Sequence, residues 1–203
     1  MFIIYCLFYP ITWFVSFLFY PLSIQGQKNI PRRGGFIFAS NHISNLDPVL
    51  LGMTAMSVGR PLHYLAKDSL FKNKILAFVI SNLGAFPIKR ASADKDALKK
   101  CLKLLKIGAA LVVFPEGTRK GRGQSKNALP GVGFLAVKSQ VPVIPVRVVG
   151  SDAVLPPGKK FPTRRRIHVY IGPAITLRSH HDYQAVANQI QETIYLQPQG
   201  RSG

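Results

Sequence analysis

Asn41-His42-Ile43-Ser44-Asn45-Leu46-Asp47 holds the side chains best suited to proton transfer, an imidazole with a carboxylate five positions further on. An imidazole can remove a proton near neutral pH. A carboxylate that curls back across a tight turn can hold one ring nitrogen, fix the tautomer and stabilise the imidazolium as it forms. The same segment also reads as a plain helix start, with Asp47 as the cap and Pro48 at the first helical position. Taken alone it leaves both readings open.

A second segment, Phe114-Pro115-Glu116-Gly117-Thr118-Arg119, adds anion-binding chemistry. A small, turn-forming Glu-Gly-Thr lets backbone amides approach an anion closely, and Arg119 can grip a phosphate with two parallel hydrogen bonds. On its own it could equally be a solvated loop. Two such segments in this order, each directly after an apolar run, are a more specific signal than either.

The elements that must position them follow from the hydrophobic pattern. Short apolar runs at 36–40, 63–66, 109–114, 141–149 and 167–171 read as strands. The run at 109–114 is uninterrupted and suits the middle of a parallel sheet. Helices are expected over 49–56, over 74–82 with Gly84 as the stop, over 94–107 and over 182–196. In the third of these, Leu98, Cys101, Leu102 and Leu105 form the apolar stripe, with Lys95, Lys99, Lys103 and Lys106 opposite. Alternation of this kind predicts an α/β domain with a mixed, mostly parallel sheet flanked by helices, in which ligands bind at the carboxyl edge of the strands. Residues 121–125, 156–160 and 197–203 read as loops or tail.

The chain of 203 residues has room for one core, and its formal net charge of +19 points to an anionic partner surface. Residues 1–27 carry no charge and are crowded with aromatics, among them Phe8, Trp13, Phe14 and Phe17. Such a surface is costly in water, which predicts a membrane anchor over 1–25, a catalytic domain over 26–197 and a flexible tail over 198–203. Pro10 interrupts the apolar segment halfway, so a kinked span and a two-piece wedge in one leaflet are both open. Lys28, Arg32 and Arg33 follow at once, which places the domain on the cytoplasmic face. Cys6 and Cys101 suggest neither a disulfide framework nor a zinc cluster.

Asn41-His42 with Asp47 resembles the HxxxxD motif of the glycerolipid acyltransferases related to the bacterial enzymes that acylate 1-acylglycerol 3-phosphate. Phe114 to Arg119 is similar to their FPEGTR block without a mismatch. Gly84-Ala85-Phe86-Pro87-Ile88-Lys89-Arg90 resembles the second motif, with Pro87 as a departure, and Val143-Ile144-Pro145-Val146 the fourth. The resemblance covers about residues 26–172. It implies a general base at His42 oriented by Asp47, with direct attack of an acceptor hydroxyl on an acyl thioester and no acyl-enzyme. It further implies that Arg90, Arg119 and Lys67 neutralise the acceptor phosphate, while Glu116, Gly117 and Thr118 shape that pocket. The implied substrates are lysophosphatidic acid, with another lysolipid or glycerol 3-phosphate as the alternative acceptor, and either acyl-CoA or acyl carrier protein; the implied site is a membrane phospholipid surface, in bacteria the inner membrane.

Other chemistries fit less well. His42, His63, Asp47 and Glu116 lack the short spacing of a metal site, and no cofactor is expected. Ser40 and Ser44 lack the Gly-x-Ser-x-Gly elbow of a covalent nucleophile. His180-His181 reads as a loop pair. A thioesterase, in which His42 activates water, is the rival enzyme reading, and a basic peripheral protein that binds anionic lipid is the rival without catalysis. Nucleic acid is disfavoured as a partner because the aromatics are not interleaved with the basic runs. The clusters Arg119-Lys120 with Arg122 and Lys126, Lys159-Lys160 with Arg164-Arg165-Arg166, and the lysine side of 94–107 are expected to draw the catalytic opening onto an anionic leaflet.

Overall fold

The computed structural model describes residues 2–88, 94–118, 128–156, 163–177 and 181–198. Seven strands form one sheet: β1 (Leu22–Gln25), β2 (Phe36–Ser40), β3 (Leu62–Lys67), β4 (Ala85–Ile88), β5 (Ala110–Val113), β6 (Val143–Val149) and β7 (Ile167–Ile171). Their order is β1-β7-β6-β2-β5-β3-β4, and β7 runs antiparallel to β6 while every other pairing is parallel. The expected mixed, mostly parallel sheet is therefore present. Every residue of β2 is buried, as a strand flanked on both sides and covered on both faces must be.

Alternation along the strands divides the core in two. Phe36 and Phe38 face a layer built from helices α1 (Phe2–Phe19) and α2 (Asp47–Met56), through Val15, Tyr20, Leu50, Leu51 and Ala55. Ile37 and Ala39 face α4 (Lys95–Lys106), α5 (Pro130–Ser139) and α7 (Tyr183–Leu196), through Cys101, Leu105, Leu135 and Ile190. The described residues also form α3 (Lys74–Asn82) and the single turn α6 (Ser151–Val154). Asp94 caps α4 by accepting from the Ala97 amide at 3.0 Å, and Asp182 caps α7 by accepting from Gln184 and Ala185.

Several sequence expectations need correction. Helix α1 runs through Pro10 as one element. No helix among the described residues is long and apolar enough to cross a membrane. Residues 22–25, grouped from the sequence with the anchor, pair with β7 as an edge strand. Pro87 is accommodated because β4 is itself an edge strand, where a missing amide costs little. The lysine face of α4 belongs to the layer opposite α1, since the helix spends its apolar stripe on α5 and β5, so those lysines do not flank the apolar N-terminal face. Residues 119–127, with Arg119, Lys120, Arg122 and Lys126, lie outside the described residues, as do Arg90, Lys159, Lys160 and His180.

Close packing between α5 and α7 depends on Gly133, where an added Cβ would stand 2.0 Å from the Tyr183 carbonyl oxygen. Gly133→Ala must push the two helices apart. Urea denaturation should register a loss of about 1–3 kcal/mol as a lowered midpoint.

Candidate active site

The parallel strands β2, β3, β5 and β6 end at one edge of the sheet, and the loops that leave them converge there. Asn41 begins the loop after β2. Its amide donates to the Val148 carbonyl at 2.8 Å and its carbonyl accepts from the Val148 amide at 2.7 Å, which extends the β2–β6 pairing past Ser40 through a side chain. The residue before His42 is thereby fixed on both sides.

The chain then reverses so that Asp47 faces His42. Asp47 is 0% exposed. Its Oδ2 accepts from the amides of Ile43 at 2.7 Å and Ser44 at 2.8 Å, and lies 2.9 Å from His42 Nδ1. Its Oδ1 accepts from the Ser151 hydroxyl at 2.6 Å. A carboxylate surrounded by donors leaves Nδ1 as the protonated ring nitrogen, so Nε2 carries the lone pair. Asp47 is thus no helix cap: its carboxylate turns back into the loop, and no side chain caps α2.

His42 is held from a third direction by Phe114, whose ring stacks on the imidazole at 4.1 Å between centroids and 18° between planes. Because β2 and β5 pair in parallel, the residue after β5 falls naturally beside the loop after β2. The imidazole lines a cavity of about 510 Å³, in the usual range for ligand pockets. The walls come from α1 (Tyr9, Thr12), α2 (Val49, Met53), β3 with Lys67 at its end, and α3 (Ile80) with Leu83 after it. Among the described residues the lining is dominated by apolar groups, with Lys67 as its cation.

The Glu-Gly-Thr turn follows Phe114 at the same edge. Gly117 has φ 68°, and a Cβ there would stand 2.2 Å from Leu129 Cδ1, so the tight turn requires glycine. Glu116, expected to shape an anion pocket, is buried with its Oε1 accepting from the Tyr195 hydroxyl at 2.5 Å. Arg147 in turn donates to the Tyr195 and Gln197 carbonyls and lies 5.3 Å over the Tyr195 ring. Burial, with the Glu116 carboxylate beside it, holds the Tyr195 phenol well above its ordinary range. Thr118 is exposed at the end of the described turn.

Ser151 and Tyr195 escaped the sequence reading. Tyr195 lies inside an ordinary amphipathic helix and carries no signal. Ser151 has a faint one: it follows Gly150, which has φ 89° at the end of β6, a left-handed turn that sends the next side chain back over the strand ends. His63 sits within β3 with Nδ1 3.4 Å from the Ala110 carbonyl, and burial lowers its pKa; it is absent from the cavity wall. Burial pushes the Cys101 thiol up to about 12, which leaves it inert as a nucleophile.

Comparison with known proteins gives the site a family. Residues 21–149 match the family model described as Acyltransferase. The chain is 33% identical over 70% of its length to the chloroplastic 1-acyl-sn-glycerol-3-phosphate acyltransferase LPAT1 of Arabidopsis thaliana, and spans 40% of that protein. It is 27% identical over 74% of its length to the 1-acyl-sn-glycerol-3-phosphate acyltransferase of Bacillus subtilis, and spans 72% of it. The crystal structure of the 1-acyl-sn-glycerophosphate acyltransferase PlsC from Thermotoga maritima superposes with a TM-score of 0.69 and 25% identity, covering 86% of this chain and 69% of that one. The matched stretch carries both the His42–Asp47 pair and the Glu-Gly-Thr turn, and the chain belongs to the acyltransferase family.

Proposed function

We propose that the chain transfers a fatty acyl group from an acyl thioester, acyl-CoA or acyl carrier protein, to the free hydroxyl of 1-acylglycerol 3-phosphate, giving phosphatidic acid. One observation carries the reading: an imidazole whose Nδ1 is tied to a buried carboxylate forms part of the wall of an apolar cavity. A charged or water-soluble substrate would gain little from such walls, whereas an acyl chain gains about 0.8 kcal/mol for each methylene buried. The names of the similar proteins from Arabidopsis thaliana and Bacillus subtilis agree with this choice of acceptor.

In the proposed reaction Nε2 of His42 takes the proton of the acceptor hydroxyl as its oxygen attacks the thioester carbonyl carbon. The tetrahedral intermediate collapses with cleavage of the C–S bond, and the imidazolium returns the proton to the departing thiolate. Asp47 keeps the ring in the tautomer that makes this possible and balances its transient positive charge. Lys67, which lines the same cavity, attracts the acceptor phosphate, and Arg90 and Arg119 are proposed to join it. Glu116 supports the turn through Tyr195, and Gly117 and Thr118 supply the backbone facing the anion. The outer surface of α1 favours attachment to a membrane: Phe14 and Phe17 are 64% and 75% exposed. The lysine-bearing catalytic edge would then lie against the cytoplasmic face of that membrane.

A labelled acyl thioester offered with a panel of acceptors should give phosphatidic acid when lysophosphatidic acid is supplied, with His42→Ala slower by roughly 10²–10⁴-fold. Thiol release at full rate without any acceptor would instead establish a thioesterase. Ser151→Ala removes one donor from Asp47 without touching substrate, so turnover should fall about tenfold with little change in KM. Sedimentation with vesicles should persist at high salt, because apolar side chains and not charge alone hold the chain there.

A further inference from the structure

Helix α3 reads Lys-Ile-Leu-Ala-Phe-Val-Ile-Ser-Asn, with unbroken apolar character from Ile75 to Ile80. A helix apolar on all sides ordinarily lies in a protein core or in lipid. None of the residues of α3 is buried. Ile75 is 80% exposed and Phe78 68%, with Leu76 and, in the preceding turn, Leu70 also exposed. The helix is nonetheless well formed, since Asn73 caps it by accepting from the Leu76 amide at 3.0 Å.

Two further observations say what covers this face. Ile80 lines the cavity that contains His42, as do Tyr9 and Thr12 of α1, so both exposed apolar helices border one cavity. Lys67, Lys72 and Lys74 are exposed around the turn that leads into α3, which sets cations beside the apolar surface. Apolar groups edged by lysine match the boundary between acyl chains and anionic headgroups.

We propose that α3, with the turn at Asp68–Phe71, is a second membrane-inserting element: Ile75, Leu76 and Phe78 enter the acyl zone of an anionic bilayer while Lys67, Lys72 and Lys74 meet its headgroups. The cavity then opens between two inserted helices, within one leaflet. The proposal rests on the reading that the chain works at a membrane, and its test separates the two.

Two single-tryptophan proteins serve, both made in the full chain with Trp13→Phe, since Trp13 is its one tryptophan. Phe17→Trp reports on α1 and Phe78→Trp on α3. Each is mixed with vesicles of phosphatidylcholine and phosphatidylglycerol with brominated acyl chains. Quenching of both indoles by the brominated chains is the expected result. Quenching at position 17 with an iodide-accessible, unquenched indole at position 78 overturns the role of α3 and leaves α1 standing. Quenching at neither position overturns both readings. Blue-shifted emission at position 78 without vesicles, with a doubled mass by light scattering, assigns the face to a second copy of the chain and overturns the proposal. As an independent measurement, Ile75→Ser with Phe78→Ser should weaken vesicle partitioning about tenfold or more at an unchanged urea midpoint, because neither side chain is buried. Unchanged partitioning overturns the proposal.

Discussion

A carboxylate with no exposure to water, and with no Lys or Arg among the described residues bonded to it, is the constraint on which the catalytic edge depends. Desolvating such a group costs several kcal/mol unless donors replace the lost water. Asp47 meets that cost with the donors of His42, Ile43, Ser44 and Ser151. Three come from the chain reversal directly after β2 and one from the turn after β6, so the carboxylate ties neighbouring strand ends together. Gly150 is required for the last of these, since a Cβ there would stand 2.6 Å from the Arg166 carbonyl oxygen. The imidazole is thus oriented by a group whose own position is determined by backbone.

The Glu-Gly-Thr turn is held by a different principle. Its glutamate is engaged by Tyr195 of the last helix, and Arg147 fastens the end of that helix to β6. Residues far apart in the chain therefore decide where the turn after β5 sits. Phe114 joins the two systems, because it begins the turn and stacks on His42.

Local patterns were legible in the sequence where one element's periodicity or capping decided the outcome. The buried strand at Phe36–Ser40, the helix at Lys74–Asn82 and the lysine-faced α4 all declare themselves in this way. The spacing of His42 and Asp47 showed that they could meet, but not that Asp47 would forgo capping α2, since the Ser151 hydroxyl is supplied across 104 positions of chain. Leu22–Gln25 was misgrouped because its apolar character continues that of α1, and only its pairing with β7 distinguishes it. The side of the sheet taken by α4 depends on topology, which charge counting does not see.

The joint between α1 and the sheet is short. Tyr20 is buried, its carbonyl accepts from the Ser16 hydroxyl at 3.0 Å, and β1 begins two residues later, locked to β7. Were α1 to attach to a leaflet, as proposed, a joint with so little slack could not swivel, and the domain would keep one attitude. Encounter with the proposed lipid acceptor would then be a lateral search in two dimensions. Its rate would follow how densely the acceptor populates the surface, and diluting the surrounding solution would leave it unchanged.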